Sequence, residues 1–451
     1  MLVRSILTRV HSNLLSTSGL KAQLIRGGIG NALIQVCNRA LALAVGVVLA
    51  KGLGAEGYGV YSYAFALMSL LSVFACFGMP TMLVREVAKA ESKKDWRYLR
   101  GVLVWGLSLA LLLSVVITAI SFVTFWKLYG GLEARKVAIC CAMSMLPFFV
   151  LTKTITASLR GLQQVVKSQA VELLLRQVLF LLAVTCLYSF APDLCLPQYI
   201  LAIQLVVFFV VMCAAVLLLY RYLPKPVYKV TAQFRTRRWL NSAMPLVIIG
   251  GTGIINNQAD ILMLGLFRSA EDVGIYRVAV QGSVLVSFGL QAGNMVIAPH
   301  IARLHSKGDQ IRLQRLVTAS ARIILLIALP VALIFIIKGG VLAGYIFGSN
   351  FEKSHTALAV LAFGQLINAT MGSVGYLLNM TGNEHDVART LIVTAGINVL
   401  LNLSLIPTFG LAGAAAATSI SLIVWNFILY RIVKKRIGIN STVFAMKEVA
   451  T

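Results

Sequence analysis

Long apolar segments, separated by short basic ones, run through the whole chain. A helix needs about 20 apolar residues to cross the hydrocarbon core of a bilayer. Twelve such segments follow one another, at about 27–50, 60–84, 99–126, 137–158, 168–190, 198–222, 241–266, 275–298, 317–338, 356–380, 388–407 and 411–433. Hydrophobic residues make up 59% of the chain and charged residues 12%, which excludes a soluble domain. The sequence predicts an all-α polytopic membrane protein with twelve transmembrane helices.

The basic residues predict the orientation of these helices. The formal net charge is +25, with 40 lysines and arginines against 15 acids. Such a charge suits a nucleic-acid partner, but most of these cations lie in the short segments between apolar spans. We therefore predict a lipid bilayer and no nucleic acid as the partner. The basic segments alternate with poorly charged ones, and the positive-inside rule then predicts that both termini lie in the cytoplasm.

Two stretches that lie 215 residues apart (270 minus 55) share a turn sequence. The matched residues are Ala55, Glu56, Gly59 and Tyr61 of GAEGYGVY, and Ala270, Glu271, Gly274 and Tyr276 of SAEDVGIY. After a slip of one residue, SK at 92–93 matches SK at 306–307. These matches predict two copies of one six-helix lobe as parallel repeats about an axis along the membrane normal. We place the first lobe at 1–222, a basic cytoplasmic linker at 223–240, and the second lobe with its tail at 241–451.

Ionisable side chains inside apolar spans are costly, so they mark function or a structural pair. The embedded cations are Arg39, Lys153, Arg176, Arg277 and Arg322, and the embedded acids are Glu172 and Asp260. Arg176 follows Glu172 by four residues, a spacing that favours an ion pair on one helix face. Asp260 and Arg277 are placed to pair across a hairpin. For Glu172, Asp260 and Arg277, ion coupling and a structural pair both stay open, whereas Lys153 and Arg322 lie near enough to the cytoplasmic surface to reach lipid headgroups.

Amides are frequent in the second half of the chain. They indicate either helix-to-helix hydrogen bonds or a hydrated groove for a saccharide, and the sequence does not choose between the two. The candidate saccharide contacts are Asn256, Asn257, Gln281, Gln365 and Asn368. The seven cysteines and five histidines show no metal-ligand spacing, so we expect no metal and no cofactor.

Three stretches resemble the polysaccharide-exporter branch of the MATE-like MOP flippase superfamily, which includes the lipid-linked oligosaccharide and O-antigen (Wzx-type) flippases. They are VLAKGLGAEGYGVYSYAFALMSLLSVFACFGMPTMLVREVAK, NNQADILMLGLFRSAEDVGIYRVAV and LLNMTGNEHDVARTLIVTAGINVLLNLSLIPTFGLAGAAAATSIS. Their shared patterns are hydrophobic and small residues, with no catalytic signature. They therefore identify a family better than a substrate.

This resemblance implies two six-helix lobes in a V, around a cavity that opens alternately to each side. The implied function is that of a transporter rather than an enzyme. It would move an undecaprenyl-pyrophosphate-linked oligosaccharide, such as an O-antigen or other surface polysaccharide repeat unit, from the cytoplasmic to the periplasmic leaflet of the inner membrane. We expect H⁺ or Na⁺ as the coupling ion, and other polysaccharide-assembly membrane proteins as partners.

A pyrophosphate group suits a cavity rich in cations, because arginine and lysine bind phosphate strongly where the dielectric constant is low. We predict that Arg39, helped by Arg176 and Lys153, binds this group. One alternative is an ion-coupled multidrug exporter of the same fold, which would need an acidic cavity for its mostly cationic substrates. Another is a membrane glycan polymerase or ligase. That enzyme would need a large outer loop with catalytic residues, and no loop here is long enough.

Overall fold

A computed structural model describes residues 20–128 and 133–445 of the chain, and the regular structure of these residues is helical. The first half contains Leu20–Cys76 (α1), Met79–Ser92 (α2), Trp96–Leu128 (α3), Glu133–Ser144 (α4), Leu146–Gly161 (α5), Val165–Gln169 (α6), Arg176–Phe190 (α7) and Pro197–Tyr222 (α8). After Pro226–Lys229 (α9), the second half contains Thr236–Phe267 (α10), Ala270–Ser306 (α11), Gln310–Phe347 (α12), His355–Met371 (α13), Val374–Met380 (α14) and Glu384–Ile437 (α15). A π-helical turn, Ala170–Leu175, joins α6 to α7.

In the described ranges, nine helices are long and apolar enough to cross a bilayer. The segment Ser349–Met371, which includes α13, and the helix α14 form a bent pair that makes a tenth. The predicted all-α polytopic membrane fold is therefore confirmed. The count is below twelve because α1 and α15 each run through two of the predicted segments. Each leaves helical geometry once, at Gly54 (φ 67, ψ −176) and at Gly410 (φ 55, ψ −127). Glycine adopts such positive φ values without a steric penalty. The termini, 1–19 and 446–451, whose cytoplasmic placement was predicted, lie outside the described residues.

The two SK turns that match in sequence also match in backbone geometry. Lys94 (φ 53) and Gly308 (φ 70) both adopt the left-handed conformation. In each turn, the aspartate that follows caps the next helix. Asp95 Oδ1 accepts from the Tyr98 N–H at 3.1 Å, and Asp309 Oδ1 accepts from the Arg312 N–H at 3.0 Å. Side-chain caps of this kind stabilise a helix start, so the same local structure recurs in both halves.

The predicted linker packs against the first half, and α10 begins within it, at Thr236. Trp239 is fully buried. Its Nε1–H donates to the Tyr98 hydroxyl at 2.7 Å, and that hydroxyl donates to Glu86 at 2.8 Å. Arg85 donates to Ser242 one turn further along α10. The start of α10 is thereby tied to the first half, although its sequence belongs to the second.

An arginine in each half binds the segment that follows the last helix of that half. Arg100 on α3 donates to the carbonyls of Tyr228 and Val230. Arg322 on α12 donates to the carbonyl of Val443 at 3.2 Å and to that of Ala445 at 3.2 Å. The two carbonyl pairs again lie 215 residues apart (443 minus 228 and 445 minus 230). The structure thus gives Arg322 backbone carbonyls as partners, in place of the predicted lipid headgroups.

We expect Arg322→Ala to raise amide hydrogen exchange in residues 439–445 and to leave residues 226–233 unchanged. Arg100→Ala should do the reverse, because each guanidinium supplies the hydrogen bonds that hold its own segment. Hydrogen exchange with mass spectrometry on the purified protein measures both segments at once, so each variant is the control for the other. Equal exchange in both variants and the wild type would show that the arginines do not hold the segments.

Candidate functional site

A cavity of about 190 Å³ lies between the two halves. Residues of α1, α7 and α8 line it from the first half, and residues of α10 and α11 from the second. The polar lining residues are Tyr58, Tyr61, Ser62, Arg176, Gln177, Gln204, Gln258, Arg277 and Gln281. Among the described residues that line the cavity, none is an aspartate or a glutamate. The cavity therefore combines positive charge with neutral hydrogen-bonding groups.

The two arginines of the cavity come from different halves. Arg176 is the first residue of α7, directly after the π-helical turn, and its guanidinium lies 5.7 Å from the centre of the Phe208 ring. Arg277 lies on the second turn of α11, where Tyr58 of α1 faces it. Both guanidinium groups lie within electrostatic range of the Tyr61 hydroxyl. Two cations thus converge on one region of the cavity wall.

Several buried polar atoms of the lining have no hydrogen-bond partner in the protein: Arg176 Nε, Gln204 Oε1 and Gln281 Oε1. Gln204 is only 5% exposed. A side chain at position 46 would overlap the Gln281 amide, so Gly46 leaves the space that the Gln281 side chain occupies. An unsatisfied buried polar atom costs about 1–3 kcal/mol, and a polar ligand or water in the cavity would remove that cost.

Stacked aromatic rings form the apolar part of the cavity wall. The Tyr58 and Tyr61 ring centres are 6.3 Å apart, and those of Tyr61 and Phe65 are 6.2 Å apart, with interplanar angles of 10° in both pairs. Phe180 stacks on Tyr61 from α7 at 6.4 Å. Ring stacking of this kind fixes side chains in one orientation. The tyrosine hydroxyls therefore keep a fixed position beside the arginines.

The structure brings only some of the predicted cations to this cavity. Arg176 lines it, whereas Arg39 and Lys153 are not among the lining residues. Arg39 is half-buried on α1, three residues before the lining residue Ala42, and within electrostatic range of Tyr376 on α14. The Lys153 ammonium lies 4.5 Å from the centre of the Phe149 ring. Their predicted contact with pyrophosphate stays a prediction.

Of the predicted saccharide contacts, Gln281 lines the cavity. Asn256 is half-buried on α10 and is not a lining residue, and Asn257 donates to the Gly253 carbonyl of its own helix at 2.6 Å. Asn368 donates to Gln365 at 3.2 Å within α13. Three of these amides, Asn257, Gln365 and Asn368, thus bond within their own helices rather than to another helix, and their predicted contact with a saccharide stays a prediction.

The predicted ion pair between Glu172 and Arg176 was wrong. Glu172 instead pairs with Arg160 at 3.1 Å and accepts a hydrogen bond from Thr156 at 2.7 Å. Thr156 and Arg160 lie four residues apart on α5, so both face the same neighbour. The carboxylate thereby obtains two partners from one helix, and Arg176 is left to the cavity.

The predicted pair of Asp260 with Arg277 is also not formed. Asp260 is 5% exposed and accepts hydrogen bonds from Tyr276 at 2.6 Å, from Thr418 at 3.4 Å and from the Ile261 N–H at 2.9 Å. Successive helix residues point about 100° apart. Tyr276 therefore reaches Asp260, while Arg277 faces the cavity.

Sequence reasoning missed Gln204, Tyr58 and Tyr61 as lining residues. A signal existed for Gln204, because it is the one amide well inside the apolar α8 segment. The tyrosines carry no comparable signal. In the described ranges, no three His, Cys, Asp or Glu side chains come together as a metal ion would require.

Comparison with known proteins gives two overlapping family matches. The profile for the polysaccharide biosynthesis protein family matches residues 24–305, and the profile for the lipid II flippase MurJ matches residues 200–451. The chain is 23% identical over 383 residues to the probable low-salt glycan biosynthesis flippase Agl15 of Haloferax volcanii, with 84% of this chain and 77% of that protein covered. It is 21% identical to the capsular polysaccharide biosynthesis protein CapF of Staphylococcus aureus, with 81% of this chain and 88% of CapF covered.

Two solved structures share the fold. An inward-facing multidrug resistance MATE family transporter of the MOP superfamily superimposes with a TM-score of 0.70 at 14% identity, over 90% of this chain and 98% of that one. The lipid II flippase MurJ, in an inward closed conformation, superimposes with a TM-score of 0.68 at 14% identity, over 89% of this chain and 87% of MurJ. Each family match spans more than half of the chain. The chain therefore belongs to the polysaccharide biosynthesis protein family, it is a flippase-type membrane transporter, and it shares the fold of these two structures.

Proposed function

We propose that this protein moves an undecaprenyl-pyrophosphate-linked oligosaccharide from the cytoplasmic to the periplasmic leaflet by alternating access. The observation that carries the proposal is a cavity between the two halves with two arginines and no acid among its described lining residues. Arginine binds phosphate oxygens in a two-pronged geometry, and the attraction is strong where water is excluded. Amides and tyrosine hydroxyls beside the arginines suit the hydroxyl groups of a sugar.

The size of the cavity suits the pyrophosphate group of such a substrate. Its volume of about 190 Å³ is below the roughly 300–1,000 Å³ of sites that enclose a whole drug-sized ligand. We place the pyrophosphate between Arg176 and Arg277, with the lipid chain outside in the bilayer. Arg39 and Lys153 remain our proposed contacts for the pyrophosphate on its way from the cytoplasm, because both lie on the cytoplasmic side of this site if the termini are cytoplasmic.

We further propose twelve membrane crossings, six in each half. The 57 residues of α1 would form a helix about 85 Å long at about 1.5 Å per residue, far more than the hydrocarbon core of about 30 Å. The break at Gly54 divides α1 into two crossings, and the break at Gly410 divides α15 in the same way. With the basic segments inside, both termini are cytoplasmic in the inner membrane.

Asp260 is our candidate for ion coupling by H⁺ or Na⁺. It is buried without a cationic partner at bonding distance, and its Oδ2 is contacted by two hydroxyls. A carboxylate that is buried without a cationic partner is costly, and a bound H⁺ or Na⁺ neutralises its charge. Other membrane proteins of polysaccharide assembly are our proposed partners, since a flipped oligosaccharide must be passed on.

Export of cationic drugs is the second candidate, because one structural neighbour is a multidrug resistance transporter. A cationic substrate needs an acid or an aromatic cage in its site. The cavity has aromatic rings, but its charges are Arg176 and Arg277. Repulsion from two arginines disfavours a cation, so the anionic substrate is the better proposal.

We expect Arg176→Ala and Arg277→Ala each to lower the rate of flipping at least about 10-fold, since a hydrogen bond to a charged group contributes about 1.5–3 kcal/mol. The assay uses proteoliposomes with fluorescent NBD-labelled undecaprenyl-pyrophosphate N-acetylglucosamine, in which dithionite bleaches only the outer leaflet. Lysine at either position should retain part of the rate, because it keeps the positive charge and loses the two-pronged geometry of the guanidinium group.

Lys434→Ala is the matched control, because Lys434 is an exposed cation at the end of α15. Each variant is first checked for normal yield and a single size-exclusion peak. Wild-type flipping by both folded arginine-to-alanine variants would refute the anion site. Export of a cationic dye by the wild type that is stronger in these variants would support the drug exporter instead.

A further inference from the structure

The linker and the end of α8 carry six cations with no acid among them. Residues 194–259 contain no aspartate or glutamate. The six cations are Arg221, Lys225, Lys229, Arg235, Arg237 and Arg238, and all six side chains are exposed. Among the described residues, no carboxylate lies within ion-pair distance of any of them. Residues 221–238, which we call the basic strap, thus carry six positive charges that no ion pair within the described structure neutralises.

The strap begins on the side of α8 that faces lipid. Gln204 of α8 faces the cavity. Successive helix residues point about 100° apart, so side chains two, six, 13 and 16 positions later lie on roughly the opposite side of the helix. These side chains are exposed and are Val206, Val210, Leu217 and Tyr220. A face that is apolar and turned away from the cavity contacts the bilayer, and Tyr220 lies at its end, where tyrosines are common in membrane proteins.

The strap folds back to the same depth in the membrane. The Tyr228 ring packs edge-on against the Tyr220 ring with centres 5.7 Å apart, and the Tyr228 hydroxyl donates to the Tyr220 carbonyl at 3.2 Å. Both tyrosines are exposed. Tyrosine rings favour the boundary between hydrocarbon and headgroups. The strap therefore lies beside the end of α8, at the level of the headgroups.

One face of the strap is fixed to the protein, and the opposite face is cationic. Val227 on α9 is buried, and the Gln233 N–H donates to the Arg97 carbonyl at 3.0 Å. Lys225 and Lys229 lie four residues apart, a spacing that places them on one side of the α9 turn, and both are exposed. Docking thus holds the strap with these two lysines pointing outward.

The counterpart of the strap in the second half docks without any cation. Arg322 binds residues 439–445 as Arg100 binds the strap. The sequence of this counterpart, INSTVFA, contains no lysine or arginine, and Phe444 stands where the strap has Lys229 (444 minus 229 is 215). Docking against the helices therefore does not require positive charge, and another role must account for the cations of the strap.

We propose that the basic strap binds the anionic headgroups of phospholipids in the inner leaflet. Each lysine or arginine near an anionic membrane surface favours binding by roughly five-fold. The exposed rings of Tyr220, Tyr228 and Phe234 lie among these cations and suit the boundary below the headgroups. The strap lies outside the cavity, so its lipid is distinct from the transported one. The surface itself does not depend on the proposed function, and the choice of leaflet rests on the proposed topology.

Hydrogen exchange with mass spectrometry on the protein in nanodiscs tests the strap. One set of nanodiscs contains phosphatidylcholine alone, and the other also contains phosphatidylglycerol. At physiological salt we expect phosphatidylglycerol to slow exchange in residues 221–238 about five-fold or more. The slowing should fade near about 1 M salt, where the screening length is about 3 Å. Residues 439–445 should exchange equally in both lipids, as the internal control. Equal exchange of residues 221–238 in both lipids would overturn the proposal.

Two double variants with the same loss of charge locate the effect. Lys225→Gln/Lys229→Gln should lose most of the slowing by phosphatidylglycerol. Lys434→Gln/Lys435→Gln, which removes two exposed lysines at the end of α15, should keep it. The ratio of exchange between the two lipids is compared within each variant, so altered intrinsic exchange cancels. An equal loss in both variants would show a general effect of net charge and reject the strap as the binding surface.

Inorganic phosphate and polyglutamate, each added to phosphatidylcholine nanodiscs, test other occupants of the strap. We expect neither to reproduce the slowing, because a lipid surface presents many headgroups beside the tyrosine rings. Slowing by polyglutamate that equals the effect of phosphatidylglycerol would identify an acidic protein as the partner. Slowing by phosphate would identify a free anion, and either result rejects the lipid surface. These experiments contain no transported substrate, so their failure would leave the proposed function untouched.

Discussion

Asp260→Asn should flip the NBD-labelled lipid at least about 10-fold more slowly than the wild type while remaining folded. The amide keeps the shape of the side chain and an oxygen that accepts from Tyr276, which lies 2.6 Å from the carboxylate. It can neither bind and release a proton nor supply a negative charge to a sodium ion. If Asp260 is the coupling group, the loss therefore arises from charge and not from packing.

The same variant separates coupling from a structural role. A structural Asp260 predicts near-normal flipping in Asp260→Asn and loss of folded protein in Asp260→Ala, because the alanine leaves the Tyr276 and Thr418 hydroxyls unpaired. Flipping is measured with an imposed pH gradient and, separately, with a sodium gradient. The gradient that accelerates the wild type and has no effect on Asp260→Asn identifies the ion. Asp309→Asn, at a helix cap outside the buried region, is the matched control.

Trp239→Ala should lower the free energy of unfolding by about 3–5 kcal/mol, the range for removal of a large buried aromatic side chain. Trp239 is fully buried and bonds to the Tyr98 hydroxyl, and the Trp105 ring lies 5.2 Å away between centres. The alanine leaves a cavity and deprives Tyr98 of a donor beside the buried Glu86. It also frees the start of α10 from the first half.

Thermal and denaturant unfolding in detergent measure this loss. Phe234→Ala is the control, because Phe234 lies in the same linker and is 55% exposed; it should change stability by less than about 0.5 kcal/mol. The sequence predicts residues 223–240 as a basic cytoplasmic linker between two lobes. An equal effect of both substitutions would reject a docked α10.

The sequence was informative wherever a property depends on one residue and its near neighbours. Transfer of apolar side chains into a bilayer is favourable residue by residue, so the long apolar segments were visible and the polytopic helical fold followed. The SK turns were visible as well, and Asp95 and Asp309 cap helices in both. Their geometry depends on a left-handed residue and a capping side chain, which are local features.

Partners of embedded charges depend on more than spacing. Glu172 and Arg176 have the spacing of an ion pair, but Thr156 and Arg160 on another helix offer the carboxylate two donors. The π-helical turn before Arg176 has no signature in the residues that form it. Proximity along the chain predicted a pair of Arg277 with Asp260, but the Tyr276 hydroxyl donates the hydrogen bond to this carboxylate instead. The rotation of each helix about its axis decides such contacts, and packing against its neighbours sets that rotation.

The sequence by itself determined that the chain is helical, lies in a membrane and repeats a turn, because hydropathy and turn chemistry are properties of short segments. Only the tertiary structure decided that Arg176 and Arg277 share one cavity and that Gly59 meets Ala270 while Gly274 meets Ala55. These residues are far apart in the chain, and their contact follows from how the two halves of the chain pack. The sequence does not distinguish a glycine that permits close approach of two helices from one that permits a bend in a helix. The backbone conformation and the neighbouring residues in the structure make that distinction.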